Sequence, residues 1–316
     1  MAYSAGDAIL DDEYNVFVGS SSDPFGYNHF AGTGSGEYGL NQSSISTVSA
    51  GGTINASNWN SLFTGLDNIS NHTNVAITAS SVSAGDTIAI RSALVTDLAN
   101  LAAAVAGGST AADAFDTTAV GTSTNSGTWN STSTIERSVT FANNATMRAF
   151  FNGGGAIRVD PATSGSVDGS KDTVFSEITA AIGNLDIKAH ATTRSGSGET
   201  ETSFDSGNGF HDLTTSYASK IKITANNSGY TSNYVEIFAK LDAVPGSATV
   251  ITIKMVSSDP ADDTTYTSGN TDGVASNPNE APAMQLNIIE KSLNDTQGLA
   301  ADIKSSSNAE VSNSES

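Results

Sequence analysis

Residues 135–160 read IERSVTFANNATMRAFFNGGGAIRVD. Ile135, Val139 and Phe141 fall on one face of an extended segment and Glu136, Ser138 and Thr140 on the other, the period-2 pattern of a half-buried strand. Asn143 or Asn144 can cap a short helix from Ala145 to Asn152, whose apolar contacts come from Met147, Phe150 and Phe151. Gly153, Gly154 and Gly155 then end it at a corner that needs φ > 0 or close backbone approach, and a second strand leaves from Ala156 to Val159. The stretch reads as one folding unit with no recognisable catalytic set. Arg137, Arg148 and Arg158 are three of only five arginines in the chain. Arg137 lies on the otherwise apolar strand face, so it requires an acidic or backbone-carbonyl partner. All three are expected to anchor the corner.

Downstream, a helix is expected from Asp172 to Gly183, with Val174, Ile178 and Ile182 at i+4 spacing. Strands are predicted at Leu185–Ala191, Glu199–Phe204, Lys220–Ala225, Tyr234–Leu241, Ala248–Val256 and Met284–Ile289, separated by turn signals such as Gly207-Asn-Gly209 and Pro245-Gly246. Short strands at this spacing predict an antiparallel β-sandwich of jelly-roll-like type over 135–292. Asp259, Asp262, Asp263 and Asp272 crowd one loop, where a solvated segment is favoured over a calcium site because the spacing is not that of an EF-hand. Residues 293–316 are polar and acidic and are expected to be disordered.

Upstream, Val48-Ser-Ala-Gly-Gly-Thr-Ile54 and Val82-Ser-Ala-Gly-Asp-Thr-Ile88 form an internal repeat, with a shorter echo at Ser4–Ile9. Each full copy precedes a helical pattern. Trp59, Leu62, Phe63, Leu66 and Ile69 follow the first, with Ser57 placed as N-cap, and Ile90, Leu94, Leu98, Leu101 and Val105 follow the second. Steps of 3 and 4 suit either a core-facing stripe or an oligomer seam. These elements define an N-terminal α/β region with the SAGxxI repeats, residues 1–106. Residues 107–134 are small and hydroxylated and read as a linker. Trp129 is the exception, expected to pack on the domain that follows. The fold class is thus mainly β with a small helical N-terminal part.

Composition limits the chemistry. Only 37% of residues are hydrophobic and 15% charged, so the polarity comes from Ser, Thr, Asn and Gly. The 33 acidic and 13 basic residues give a net charge of −20, which opposes a phosphate-binding face, and nucleic acid is not an expected partner. Cysteine is absent, which excludes disulfides, thiolate catalysis and Cys-ligated zinc. No apolar run has the length of a membrane span, and the acidic N-terminal residues do not make a Sec signal peptide. No G-x-S-x-G elbow, Walker loop, dinucleotide fingerprint or H-E-x-x-H occurs, and His29, His72, His190 and His211 are isolated in sequence. The sequence predicts no enzyme and no cofactor.

The segment Arg148, Phe150, Phe151, Asn152, Gly154, Gly155, Ile157, Arg158, entered from a strand, resembles one found in tail-fibre and other virion structural proteins of tailed bacteriophages. The opening MAYSAGDAILDDEYN and the block from Ser44 to His72 likewise resemble virion proteins of marine and cyanobacterial phages. The resemblance implies a structural component of the particle, assembled in the bacterial host cytoplasm. Tail-fibre or appendage type leads, with a head-decoration or neck protein as the alternative. Implied partners are other virion proteins, further copies of the chain as a homotrimer with the Ile90 to Val105 row as candidate seam, and a host cell-surface glycan or receptor. A bacterial surface adhesin or carbohydrate-binding module is the alternative from another class.

Overall fold

The computed structural model describes residues 11–19, 26–31, 40, 42–73, 75–83, 91–106, 115–125, 129, 131–164, 169–227, 229–260, 281–293 and 305–315. The protein is mainly β, with eleven strands in two antiparallel sheets and six α-helices among these residues. The chain divides into a helical unit, which takes in the described residues up to Asp116 together with Asn143–Gly155 and Ser292–Leu293, and a sandwich unit made of the rest.

The helical unit contains α1 (Asp11–Val18), α2 (Tyr27–Phe30), α3 (Ala56–Thr73), α4 (Arg91–Ala106) and α5 (Asn144–Asn152). Its core has an aromatic centre: Trp59 packs edge-on to Tyr14 at 5.2 Å and lies 5.8 Å from Phe63 and 6.1 Å from Phe17. The predicted α3 stripe, Trp59 to Ile69, faces this core. The N-cap of α3 is Asn55 rather than Ser57. Asn55 Oδ1 accepts from the Asn58 amide (3.2 Å), and Asn58 Oδ1 accepts in return from the Asn55 amide (3.0 Å). A reciprocal box closes two orphan donors, which a serine one residue inside the helix does not.

The α4 row corrects the expected oligomer seam. Leu94, Leu98, Leu101 and Val105 are all buried in the same core as α3 within one chain, and Ile90 lies outside the described residues. A stripe with the spacing of a seam is taken up by intramolecular packing, because α3 offers an apolar face of matching period.

The central stretch forms the expected local elements. β2 (Thr132–Thr140) is followed by α5, capped by Asn143, whose Oδ1 accepts from the Thr146 amide at 2.8 Å; β3 (Ala156–Ser164) leaves the glycine corner. Gly154 has φ +88°, and a Cβ on Gly155 would lie 2.6 Å from the Phe150 carbonyl oxygen. One glycine is needed for its dihedral and the next for space. The stretch is not a single folding unit, however: Asn143–Gly155 groups with the helical unit and the strands on either side with the sandwich. Gly154→Val is expected to cost about 1–3 kcal/mol, since a β-branched residue is strained at this φ. Thermal melting checks this, and an unchanged Tm would contradict it.

The sandwich unit adds β1 (Phe115–Thr124), α6 (Gly169–Ile182), β4 (Leu185–Ile187), β5 (Thr192–Arg194), β6 (Thr200–Phe204), β7 (Ala218–Thr224), β8 (Tyr234–Leu241), β9 (Val250–Ser258), β10 (Ala283–Leu293) and β11 (Ser307–Glu315). One sheet runs β1-β10-β3-β4-β5 and the other β11-β2-β9-β8-β7-β6. Alternate residues such as Ile135 and Val139, Val235 and Ile237, and Ile251 and Ile253 are buried. α6 packs against β3 of the first sheet and β7 and β8 of the second, burying Val174, Phe175 and Ile178.

Two expectations fail at the sheet edges. Residues 107–134 are not all linker, because 115–124 form β1; residues 293–316 are not all disordered, because 307–315 form β11, paired along β2. Both are polar edge strands without an apolar alternation, held by ladder bonds and side-chain amides. Thr122 donates to Asn287 (2.7 Å), Asn125 exchanges bonds with the Met284 backbone, and Asn313 donates to the Thr124 carbonyl (3.0 Å). The domain limits 1–106 and 135–292 shift accordingly. Trp129 does pack on the sandwich: it lies 5.1 Å edge-on from Phe175, and its indole donates to the Pro282 carbonyl at 2.8 Å.

Candidate functional site

In the helical unit, extended segments 42–49 and 75–83 run without a sheet partner and are held by side chains. Asn15 donates to the Val48 carbonyl and accepts from its amide, both at 2.8 Å; Asn60 treats Val82 in the same way at 2.9 and 2.8 Å, and Asn28 treats Ile45 at 2.8 and 2.9 Å. Each asparagine imitates a neighbouring strand. Val48 and Val82 head the two SAGxxI copies, so the repeat in sequence is matched by a repeated asparagine clamp, from α1 for the first copy and from α3 for the second. Asp97 serves similarly, accepting from the Thr78 and Ala79 amides at 2.9 Å.

Between segment 42–46 and α3 lies a groove of about 470 Å³ whose lining includes Tyr14, Tyr27, Ser43, Ile45, Asn58 and Asn68. Gly65 makes its floor possible, since a Cβ there would meet the Tyr27 ring at 2.6 Å. Tyr27 donates to the Ser43 carbonyl (3.3 Å), and burial pushes its hydroxyl up to about 12, so it stays a neutral donor. Among the described residues that line the groove, none carries a charged side chain. It suits a neutral ligand rich in hydroxyl or amide groups. Sequence reasoning missed this groove; the Asn and Tyr residues that form it are spread from α1 to α3.

The three arginines of the central stretch do different things. Arg137, on the buried face of β2, donates to the Thr122 carbonyl (3.1 Å), Ser123 Oγ (2.7 Å) and Asn308 Oδ1 (2.6 Å), tying β1 and β11 to β2 with the carbonyl partner its position required. Arg148 donates to Asn144 within α5 at 2.8 Å, and burial lowers its pKa. Arg158 makes a two-pronged pair with Asp186 (2.6 and 2.9 Å), which Lys291 joins at 3.1 Å, linking β3, β4 and β10. The remaining motif residues Phe150, Phe151 and Asn152 are buried on α5.

Burial by itself would raise the Asp186 carboxyl, but the hydrogen bonds from Arg158 and Lys291 outweigh it and hold the group below the ordinary 3.8. A carboxylate whose folded pKa is depressed contributes stability that is complete above its unfolded value and is lost as pH falls through the folded one. Asp186→Asn should therefore flatten the loss of stability below 3.8, measured as Tm against pH. Identical acid limbs for variant and wild type would contradict the assignment.

A second polar cluster lies inside the sandwich unit. Asp259 accepts from Lys171 Nζ at 2.8 Å and from Asn233 Nδ2 at 2.9 Å. Asp259 is thus not part of a solvated loop, as its sequence neighbours had implied; Asp262, Asp263 and Asp272 lie outside the described residues. His190 and His211, distant in sequence, stack at 4.8 Å. Among the described residues no group of three or more His, Asp or Glu side chains is placed to hold a metal ion, and no helix is long and apolar enough to cross a membrane. No protein-family model matches the chain, and no curated protein or solved structure matches it.

Proposed function

We propose that the chain is a non-enzymatic structural component of a tailed-phage particle, a tail-fibre or appendage protein that attaches by its N-terminal half and presents the β-sandwich. The observation that carries this reading is where the polar side chains go. In a catalytic protein, costly buried polar groups converge on a cavity. Here Asn15, Asn28, Asn60, Asp97 and Arg137 all close on backbone groups, and Arg158, Asp186 and Lys291 close on one another. Such a chain invests its chemistry in holding shape, as a particle component requires, and the resemblance of the Arg148–Arg158 segment to virion proteins agrees with it. Mass spectrometry of density-banded particles of a phage encoding the chain tests the reading. The protein should be found at fixed stoichiometry to the other particle proteins; presence in the infected-cell lysate and absence from the band would contradict it.

Self-association as a homotrimer belongs to the same proposal, with a seam other than the buried α4 row. Light scattering should give three times the chain mass, and a particle of 32.1 kDa would contradict it. The neutral groove beside Tyr27 favours a second reading, a glycan-binding module or adhesin. Binding of host-surface glycans that Gly65→Leu abolishes would support that reading over a purely architectural role.

A further inference from the structure

Lys171, Asn233 and Asp259 are each at most 1% exposed. A wholly buried lysine–carboxylate pair is poor stabilising material, because the desolvation of two ions consumes most of their attraction and apolar side chains do as well. The third member gives the cluster a different meaning. Asn233 hydrogen-bonds through Nδ2 to the same carboxylate that holds Lys171, while its Oδ1 is buried with no hydrogen-bond partner. An amine, a carboxamide and a carboxylate thus share one enclosed site, with the carboxylate touching both of the other two.

The fold fixes this arrangement. Asn233 directly precedes β8 and Asp259 directly follows β9, so they continue the register in which Tyr234 faces Ser258. Their backbones are pinned: the Asn233 amide donates to the Tyr230 carbonyl (2.8 Å), its carbonyl accepts from Ala225 (2.9 Å), and the Asp259 amide donates to Ser131 (2.9 Å). Lys171 enters from the first turn of α6, four residues before Phe175, which packs on Trp129.

We propose that Lys171 and Asn233 form an intramolecular isopeptide bond, with Asp259 as the proton carrier. Asp259 takes a proton from the lysine ammonium, a transfer that removes both charges from a buried site. The neutral Nζ attacks Cγ of Asn233, forming the Nζ–Cγ bond. Asp259 gives its proton to Nδ2, the Cγ–Nδ2 bond breaks, and ammonia leaves. The second proton of the attacking nitrogen passes to Asp259, which ends protonated beside a secondary amide. Atoms and charge balance, and no oxidant or cofactor is needed. The product joins the first turn of α6 to the start of β8, a covalent staple that reduction cannot open, in a chain without a single cysteine. The inference stands independently of the particle reading.

Intact-mass spectrometry of the purified full-length protein tests it. The wild type should weigh about 17 Da less than its sequence, the mass of ammonia. Lys171→Met and Asp259→Ala should each recover the full sequence mass, and a protease digest of the wild type should contain a branched peptide joining Lys171 to Asn233. Wild-type protein at full sequence mass would overturn the proposal. So would a deficit that persists in Lys171→Met, which would mark cyclisation of an asparagine elsewhere, or a deficit of about 18 Da with a branch from Lys171 to Asp259, which would mark loss of water. None of these readings requires the variants to fold.

Discussion

Leu98→Asp should unfold the helical unit. Leu98 is 4% exposed in the shared core of α3 and α4, among Leu94, Leu101, Trp59 and Leu66. An unpaired carboxylate there costs several kcal/mol of desolvation, on the order of the whole stability of a small unit, in addition to the leucine packing it removes. Far-UV circular dichroism should lose its helical signal. A variant that keeps that signal and forms a smaller particle in light scattering would return the row to the role of an oligomer seam and contradict the packing described.

Trp129→Ala is the counterpart in the sandwich unit. The indole fills a space against Phe175 and donates to the Pro282 carbonyl, so truncation removes a large apolar group and leaves a buried carbonyl short of a partner. The expected cost is about 3–5 kcal/mol, read as a fall in the chemical-denaturation midpoint. A change of less than about 1 kcal/mol would mean that residue 129 belongs to a linker after all.

How much of this was legible in the sequence depends on what holds each element. Strands that bury alternate side chains, such as Tyr234–Leu241, announce themselves through hydrophobic periodicity. So did the capped helix after Asn143, the positive φ of Gly154 and the need of Arg137 for a carbonyl. β1 and β11 are stabilised by ladder bonds at sheet edges and carry few apolar residues in no alternating pattern, so their stretches FDTTAVGTST and SNAEVSNSE look like linker and tail. The α4 stripe was visible, but its period is the same whether the partner helix belongs to the chain or to a copy of it. The Lys171, Asn233 and Asp259 cluster joins residues up to 88 positions apart, and a lysine at the start of a helix gives no sign in sequence that it is buried. The clamps from Asn15, Asn28 and Asn60 were hidden for a related reason: asparagine in a polar chain is indistinguishable from surface until the backbone it grips is in place.

The central claim, that the protein is a structural part of a phage particle, is tested most directly by a side-chain-resolution electron-microscopy map of an intact phage that encodes it. Density into which α3, the Asn143-capped helix and both sheets fit, at one symmetry-defined position on every particle, is the predicted result. A complete map whose every chain is accounted for by other proteins would contradict it.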